Sequence, residues 1–254
     1  MHICLVACSY DTDFEPVTVQ IERKLSELRG VLDHFTLVIV NDALDREVFA
    51  QVVQDIGAPE IILHELETLS ETKWGQKGLA LREGMRFAMT LEPDYLAYIN
   101  LNLKVDGKFI LKGLELIETQ KLDGIIGTRH QREGGQRIGA GQLGELKSAI
   151  FAHYARNLLP PINGFLDTNG PMKIFSAHAM SYIVSLSKSD GAFFDCEWLL
   201  ILKENDLSIG IFPLIWIQRH GSRPPWKLVK GSLIEILKIR KRWRRGLYRS
   251  STSG

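Results

Sequence analysis

The sequence predicts an α/β protein, a mainly parallel sheet covered by helices on both faces, with a basic C-terminal helix. Two observations carry that reading. Short apolar runs rich in β-branched and aromatic residues alternate with longer stretches of helical periodicity as far as Gly127. Those runs end in short polar or charged residues, at Ser9, Asn41-Asp42, Asn100 and Thr128-Arg129. In an open α/β sheet the ligand lies beyond the carboxyl ends of the strands, so these residues share one prospective binding edge.

The elements follow in order. His2 to Ala7 is the first strand, and its MHICLVACSY start lacks a cationic leader region, so a strand is expected there and not a signal peptide. A helix follows, with Pro16 suited to its first turn and Val17, Ile21, Leu25 and Leu28 on one face. Phe35 to Val40 is a strand, 44–56 a helix and Glu60 to His64 a third strand. Gly75 to Gly78 reads as a flexible basic turn before a helix over 79–92. Tyr95 to Ile99 is a buried strand whose continuation, Asn100 and Asn102, has the i, i+2 spacing that puts both side chains on one face. A helix over 107–119 and a strand from Leu122 to Gly127 complete the regular half.

The second half is less regular. Arg129 to Gly144, rich in Gly and Arg, reads as a mobile loop. It contains a formal G-x-G-x-x-G from Gly139, but no apolar strand runs into it, as the dinucleotide fingerprint requires. Helices are expected over 145–158 and near 177–187, and another opening at Phe193-Phe194-Asp195. Ser208 to Ile217 reads as one strand-like stretch, and a basic helix closes the chain.

Composition bounds the chemistry. Of 31 basic and 30 acidic residues, eleven basic and one acidic, Glu235, fall between Arg219 and Arg249, which leaves a net charge of −9 on the remainder. A basic block on an acidic body suits an anionic lipid, nucleic acid or a phosphorylated ligand, or is a solvated tail; of these partners, nucleic acid is not expected. Leu228, Val229, Leu233, Ile236, Leu237 and Ile239 can share an apolar helix face, flanked by Trp226 and Trp243. That face suits either an anionic bilayer or packing on the body. No apolar run approaches the ~20 residues that span a bilayer. Cys4, Cys8 and Cys196 form no metal-type pair and suggest a reducing compartment. The expected location is the cytoplasm, free or peripheral on a membrane.

Seven segments in order resemble the family-2 glycosyltransferases, specifically the dolichyl-phosphate mannose synthase-like group. Val40-Asn41-Asp42 resembles its acidic turn; Gln76-Lys77-Gly78 with Arg82-Glu83-Gly84 its G-K-G motif and helix; Asn100-Leu101-Asn102 stands at its D-x-D. Gly127-Thr128-Arg129 resembles G-S-R, Asp167 to Phe175 the D-x-x-x-G-F-K-x-F stretch, Phe194 to Glu197 F-D-x-E, and Arg219 to Arg223 R-x-G-S-K. The chain departs from the pattern at three places. P-x-Y-N-E is Cys8-Ser9-Tyr10-Asp11-Thr12, Pro171-Met172 precede Lys173, and both aspartates of D-x-D are asparagines.

The resemblance implies a GT-A (Rossmann-like) domain over 1–226, with the basic helix and tail over 227–254. It implies transfer of a sugar from a nucleotide-diphosphate sugar to a lipid phosphate such as a polyprenyl phosphate, or to a glycan. Donor contacts fall to Tyr10, Asn41, Asp42, Lys77, Asn100, Asn102 and Asp167, and the catalytic candidates are Arg129, Asp195 and Glu197. Arg219, Ser222 and Arg223 suit an acceptor phosphate. Each has a plainer alternative: an Asx turn at Asn41 and Asp42, or helix-start carboxylates at Asp195 and Glu197. The family's divalent ion, Mg²⁺ or Mn²⁺, is disfavoured here, because two amides offer oxygens but no charge. Arg129 is the expected substitute cation. Three readings stay open: an active transferase, a relative that binds a nucleotide sugar or partner enzyme without turnover, and another nucleotide-binding enzyme such as a nucleotidyltransferase.

Overall fold

The computed structural model describes residues 1–9, 16–42, 45–67, 76–101, 105–139, 142–217 and 226–250. Its centre is a seven-stranded sheet. Four strands alternate with helices: β1 (Ile3–Cys8), α1 (Val17–Arg29), β2 (Phe35–Asn41), α2 (Arg46–Ile56), β3 (Ile61–Glu65), α3 (Lys77–Met89) and β4 (Tyr95–Tyr98). Then come α4 (Lys108–Gln120), β5 (Gly124–Thr128), β6 (Gln136–Ile138), α5 (Gln142–Leu158), β7 (Lys173–Ser176), α6 (Ala177–Leu186) and α7 (Phe194–Glu204). β8 (Ile209–Pro213), β9 (Ile215–Ile217) and α8 (Trp226–Arg244) close the chain.

The strand order is β3-β2-β1-β4-β7-β5-β8. All neighbours are parallel except β7, which runs antiparallel between β4 and β5. The inversion matters for the site. Tyr98 at the end of β4 pairs with Lys173 at the start of β7, so that lysine lies at the carboxyl edge of its parallel neighbours.

Both faces are covered. On one, Ile21, Leu25, Phe49, Ile110 and Leu114 of α1, α2 and α4 pack on Leu5, Leu37, Ala97 and Ile174. On the other, Leu81 and Met85 of α3, Met180 of α6 and Trp198 of α7 pack on Val6, Val38, Leu96 and Phe175. Cys4 and Cys8 are buried in the second of these layers, and Cys196 is buried on the far side of α7. α7 is apolar almost all round, and every residue from Phe194 to Leu202 is buried. A helix of that kind needs cover on its second side. It gets it from Ala155 and Leu159 near the end of α5, and from Ile236, Ile239 and Tyr248 at the carboxyl end of the chain.

Several expectations are corrected. Arg129 to Gly144 is not one loop: Gln131–Glu133 makes a 3₁₀ turn and β6 pairs in parallel with β9 in a separate ribbon. The stretch Ser208 to Ile217 is two strands in two sheets. Pro213 has no N–H to continue a ladder, and the next N–H, that of Leu214, bonds to the Thr128 carbonyl. Lys77 sits not in a turn but in the first turn of α3. On α8 the apolar residues do not form one face: Ile236 and Ile239 are buried, whereas Ile234 and Leu237 are exposed.

Candidate functional site

The carboxyl ends of β1, β2, β4 and β5, the start of β7 and the first turns of α3 and α7 meet at one edge of the sheet. Two carboxylate–cation pairs organise it. The Arg129 guanidinium, just past β5, grips Asp167 in a fork: Nε to Oδ2 and Nη2 to Oδ1, both 2.7 Å. The Arg129 backbone N–H also donates to Asp167 Oδ2 at 2.8 Å. Such two-point pairing suits a guanidinium and not an ammonium. Burial alone would raise the Asp167 carboxyl, but Arg129 outweighs it and brings the pKa down to about 2. The other face of Arg129 lies over the Trp216 ring of β9, 5.4 Å from its centroid, which is how the small ribbon joins the site.

The second pair is Lys173 with Asp195, in the first turn of α7. Lys173 is fully buried and also donates to the Gly170 carbonyl at 2.7 Å. Its Nζ lies 5.6 Å from the Tyr98 ring and 6.0 Å from that of Phe194. Lys77 approaches Tyr98 too, at 5.2 Å. Burial raises the Asp195 carboxyl, against the pull of Lys173, Lys77 and Arg129. Asn169 ties the pairs together: its carbonyl accepts from Arg129 at 2.8 Å, and its side-chain amide donates to Asp195 Oδ2 at 3.4 Å. The segment 167–173 is therefore one brace across two ion pairs.

Beside them, Asn100 Oδ1 accepts from the Tyr98 hydroxyl at 2.6 Å. A small cavity next to Asn100 is lined by Lys24, Val105, Asp106 and Met172. At the end of β2, Asp42 is locked to Ser9: the Ser9 hydroxyl donates to Oδ1 at 2.8 Å, and the Asp42 N–H donates to Ser9 Oγ at 3.0 Å. Asp42, Lys77, Asn100, Arg129, Asp167 and Asp195 are thus the expected residues that share this edge.

Two expected residues do not face it. Asn41 is fully buried and donates to the Arg46 carbonyl at 3.1 Å and to Glu65 at 2.8 Å, so its amide braces β2, β3 and α2. Glu197 is also fully buried. It accepts from the Ser187 hydroxyl at 2.6 Å, from the N–H groups of Lys188 and Ser189, and from the Tyr248 hydroxyl at 2.5 Å. With Arg242 at 3.5 Å, its carboxylate is fully engaged inside the fold, away from the edge where a catalytic residue was expected. Tyr10, Asn102, Arg219, Ser222 and Arg223 lie outside the described residues.

Lys173, Tyr98 and Asn169 were not among the expected site residues. Lys173 left a signal: a lysine opening an apolar strand, Lys-Ile-Phe, must find a partner if buried. Tyr98 and Asn169 left none, because their roles depend on the antiparallel insertion of β7.

No protein-family model matches the chain. Solved structures of glucosyl-3-phosphoglycerate synthase from Mycobacterium tuberculosis are similar in fold. Its complex with Mn²⁺, UDP and glucosyl-3-phosphoglycerate gives a TM-score of 0.65 at 15% identity, over 98% of this chain and 81% of that one. A complex with Mn²⁺, UDP-glucose and phosphoglyceric acid gives 0.64 at 16%, over 98% and 81%. A further structure of the same enzyme gives 0.63 at 14%, over 98% and 82%. The likeness establishes the fold as the GT-A type, an α/β architecture on a mostly parallel sheet.

Those complexes hold Mn²⁺. Among the described residues of this chain, no three His, Cys, Asp or Glu side chains converge on a metal-sized space. Asp167 and Asp195 each face a cation, and the Asn100 oxygen already accepts from Tyr98.

Proposed function

We propose that the protein is a glycosyltransferase that moves a sugar from a nucleotide-diphosphate sugar, with uridine or guanosine as the base. The observation that carries this reading is the pair of linked ion pairs, Arg129–Asp167 and Lys173–Asp195, at the carboxyl edge of a GT-A sheet beside Asn100. The neighbours named above, which bind UDP and UDP-glucose, lend it support.

The roles follow from placement. Asp42, held by Ser9, receives the ribose or base; Tyr10 is added on the sequence resemblance alone. Asp167, fixed by Arg129, accepts from sugar hydroxyls on the oxygen lone pairs that Arg129 leaves over. Breaking the bond to the diphosphate builds negative charge on the leaving group, and preorganised cations offset it in a site shielded from water. Lys77 and Arg129 supply that charge, and Lys173 adds to the same field. Asp195 holds an acceptor or sugar hydroxyl. No step runs through a metal, and turnover is expected to persist in excess chelator.

The acceptor is a lipid phosphate or a saccharide, and the motif resemblance assigns a phosphate on it to Arg219, Ser222 and Arg223. The outward side of α8, with Ile234, Leu237, Lys238, Lys241 and Arg244 exposed, suits peripheral attachment to an anionic bilayer. Sedimentation with anionic but not neutral vesicles, weakened by salt, is the expected result; equal or absent binding overturns that part. No described helix is long and apolar enough to cross a membrane.

A thermal-shift panel of nucleotide sugars, with and without Mn²⁺, tests the reading. A true donor at ~100 times its dissociation constant stabilises the fold by about 2.7 kcal/mol. A panel without a single shift sinks it. Binding without turnover is the second reading, favoured by the neutral Asn100 at the site.

A further inference from the structure

The C-terminal segment carries one acidic residue among its cations, and that residue points inward. Glu235 on α8 accepts from the Ser189 hydroxyl, from the Phe193 N–H at 3.3 Å and from the Gly191 N–H. All three donors belong to the turn 187–193 between α6 and α7. Glu197 holds the same turn from α7 through Ser187, Lys188 and Ser189.

The turn in turn caps α3. The first N–H groups of a helix have no partner inside it, and Gln76 provides no side-chain cap. Here the Gly78 N–H donates to the Gly191 carbonyl and the Leu79 N–H to the Asp190 carbonyl, both at 3.2 Å. Arg82 adds a bond to the Ser189 carbonyl at 3.2 Å and one to Asp190 at 2.7 Å. Contact is close at two places, at Gly78 against backbone, where only glycine fits, and at Gly191 against the movable Glu235 side chain. A Cβ on Gly78 would lie 2.6 Å from the Ser189 carbonyl oxygen, and one on Gly191 would lie 2.5 Å from the Glu235 carboxylate. Lys77 immediately precedes Gly78, and Asp195 follows Phe193 by two residues.

We propose that Glu235 is a positioning residue for the site: through the turn 187–193 it sets the first turns of α3 and α7, and so the placement of Lys77 and Asp195. The C-terminal helix is then part of the donor site's framework. The consequence for binding rests on the glycosyltransferase reading; the mechanical link does not.

The test uses the full chain carrying Glu235→Gln, with Ser189→Ala as the milder variant and Glu204→Gln, which disturbs only the surface contact to Arg249, as control. Amide hydrogen exchange at Gly78 and Leu79 reads the link directly, because local opening sets exchange rates. Well below the melting temperature, Glu235→Gln and Ser189→Ala should speed exchange there about tenfold relative to β1 amides. They should also weaken binding of the donor found in the panel about tenfold, equivalent to 1.4 kcal/mol. The control should change neither. If the variants only lower Tm, with exchange at 78–79 and donor affinity unchanged, the proposal is overturned. Should Glu235→Gln not fold, Ser189→Ala decides alone. A wild-type protein that binds no nucleotide sugar removes the functional reading, and the exchange measurement still judges the link.

Discussion

At Asp167 two forces oppose. Burial favours the neutral acid, and the Arg129 fork favours the carboxylate; the fork wins, with a pKa of about 2. The native value lies below the unfolded one of about 3.9. The pair's stabilisation is therefore fully present above about pH 4 and disappears as pH falls through about 2. That window carries about 2–3 kcal/mol. Urea unfolding at a series of pH values should show this loss in the unaltered protein and its absence in Asp167→Asn; identical profiles would contradict it. The same pair makes Arg129→Ala a double injury. It strands a buried carboxylate, at a cost of about 3–5 kcal/mol in chemical denaturation. At temperatures where the variant stays folded, turnover should still fall about 10²–10³-fold, the scale for a lost charge-stabilising donor. A stability loss without a rate loss would leave Arg129 a purely structural residue.

Among the elements, α3 is the most sensitive to change. Gly78→Ala forces the helix start off the 187–193 turn, and overpacking of this kind costs about 1–3 kcal/mol. Donor binding should fall with it, read by calorimetry; unaltered binding would mean that Lys77 tolerates the shift. β1, β2 and β5 were legible because each is a short apolar run buried on both faces, and such runs stand out in any sequence. β7 was not read as a strand at all, because Lys-Ile-Phe-Ser is four residues long and opens on a lysine. The ribbon of β6 and β9 was hidden for another reason: Gln136-Arg137-Ile138 has no apolar period, and its partner lies 79 residues on, beyond a proline break. In the site, residues at parallel strand ends were readable from position, as with Asp42, Asn100 and Arg129. Asn41 and Glu197 looked equivalent to them on paper. Their partners, Glu65 and Tyr248, are set by packing that no local pattern encodes.

For the whole molecule, the tail is tied to the body at several places, among them Glu235 on the 187–193 turn. Ile236 and Ile239 are buried against α7, and Tyr248 reaches Glu197. Truncating either isoleucine to Ala should cost about 2–5 kcal/mol, and removing residues 227–254 should abolish cooperative melting; an unchanged Tm in the shortened chain would make the tail a separate unit. The central claim, that this framework transfers a sugar from a nucleotide-diphosphate donor, has one direct measurement. It is the release of nucleoside diphosphate from the donor that the thermal panel selects, followed in excess chelator and again with Mn²⁺. The account predicts release by the unaltered protein in both conditions and its loss in Asp195→Asn. No release from any nucleotide sugar in either condition would contradict it, and release only with Mn²⁺ would contradict the cation-based site.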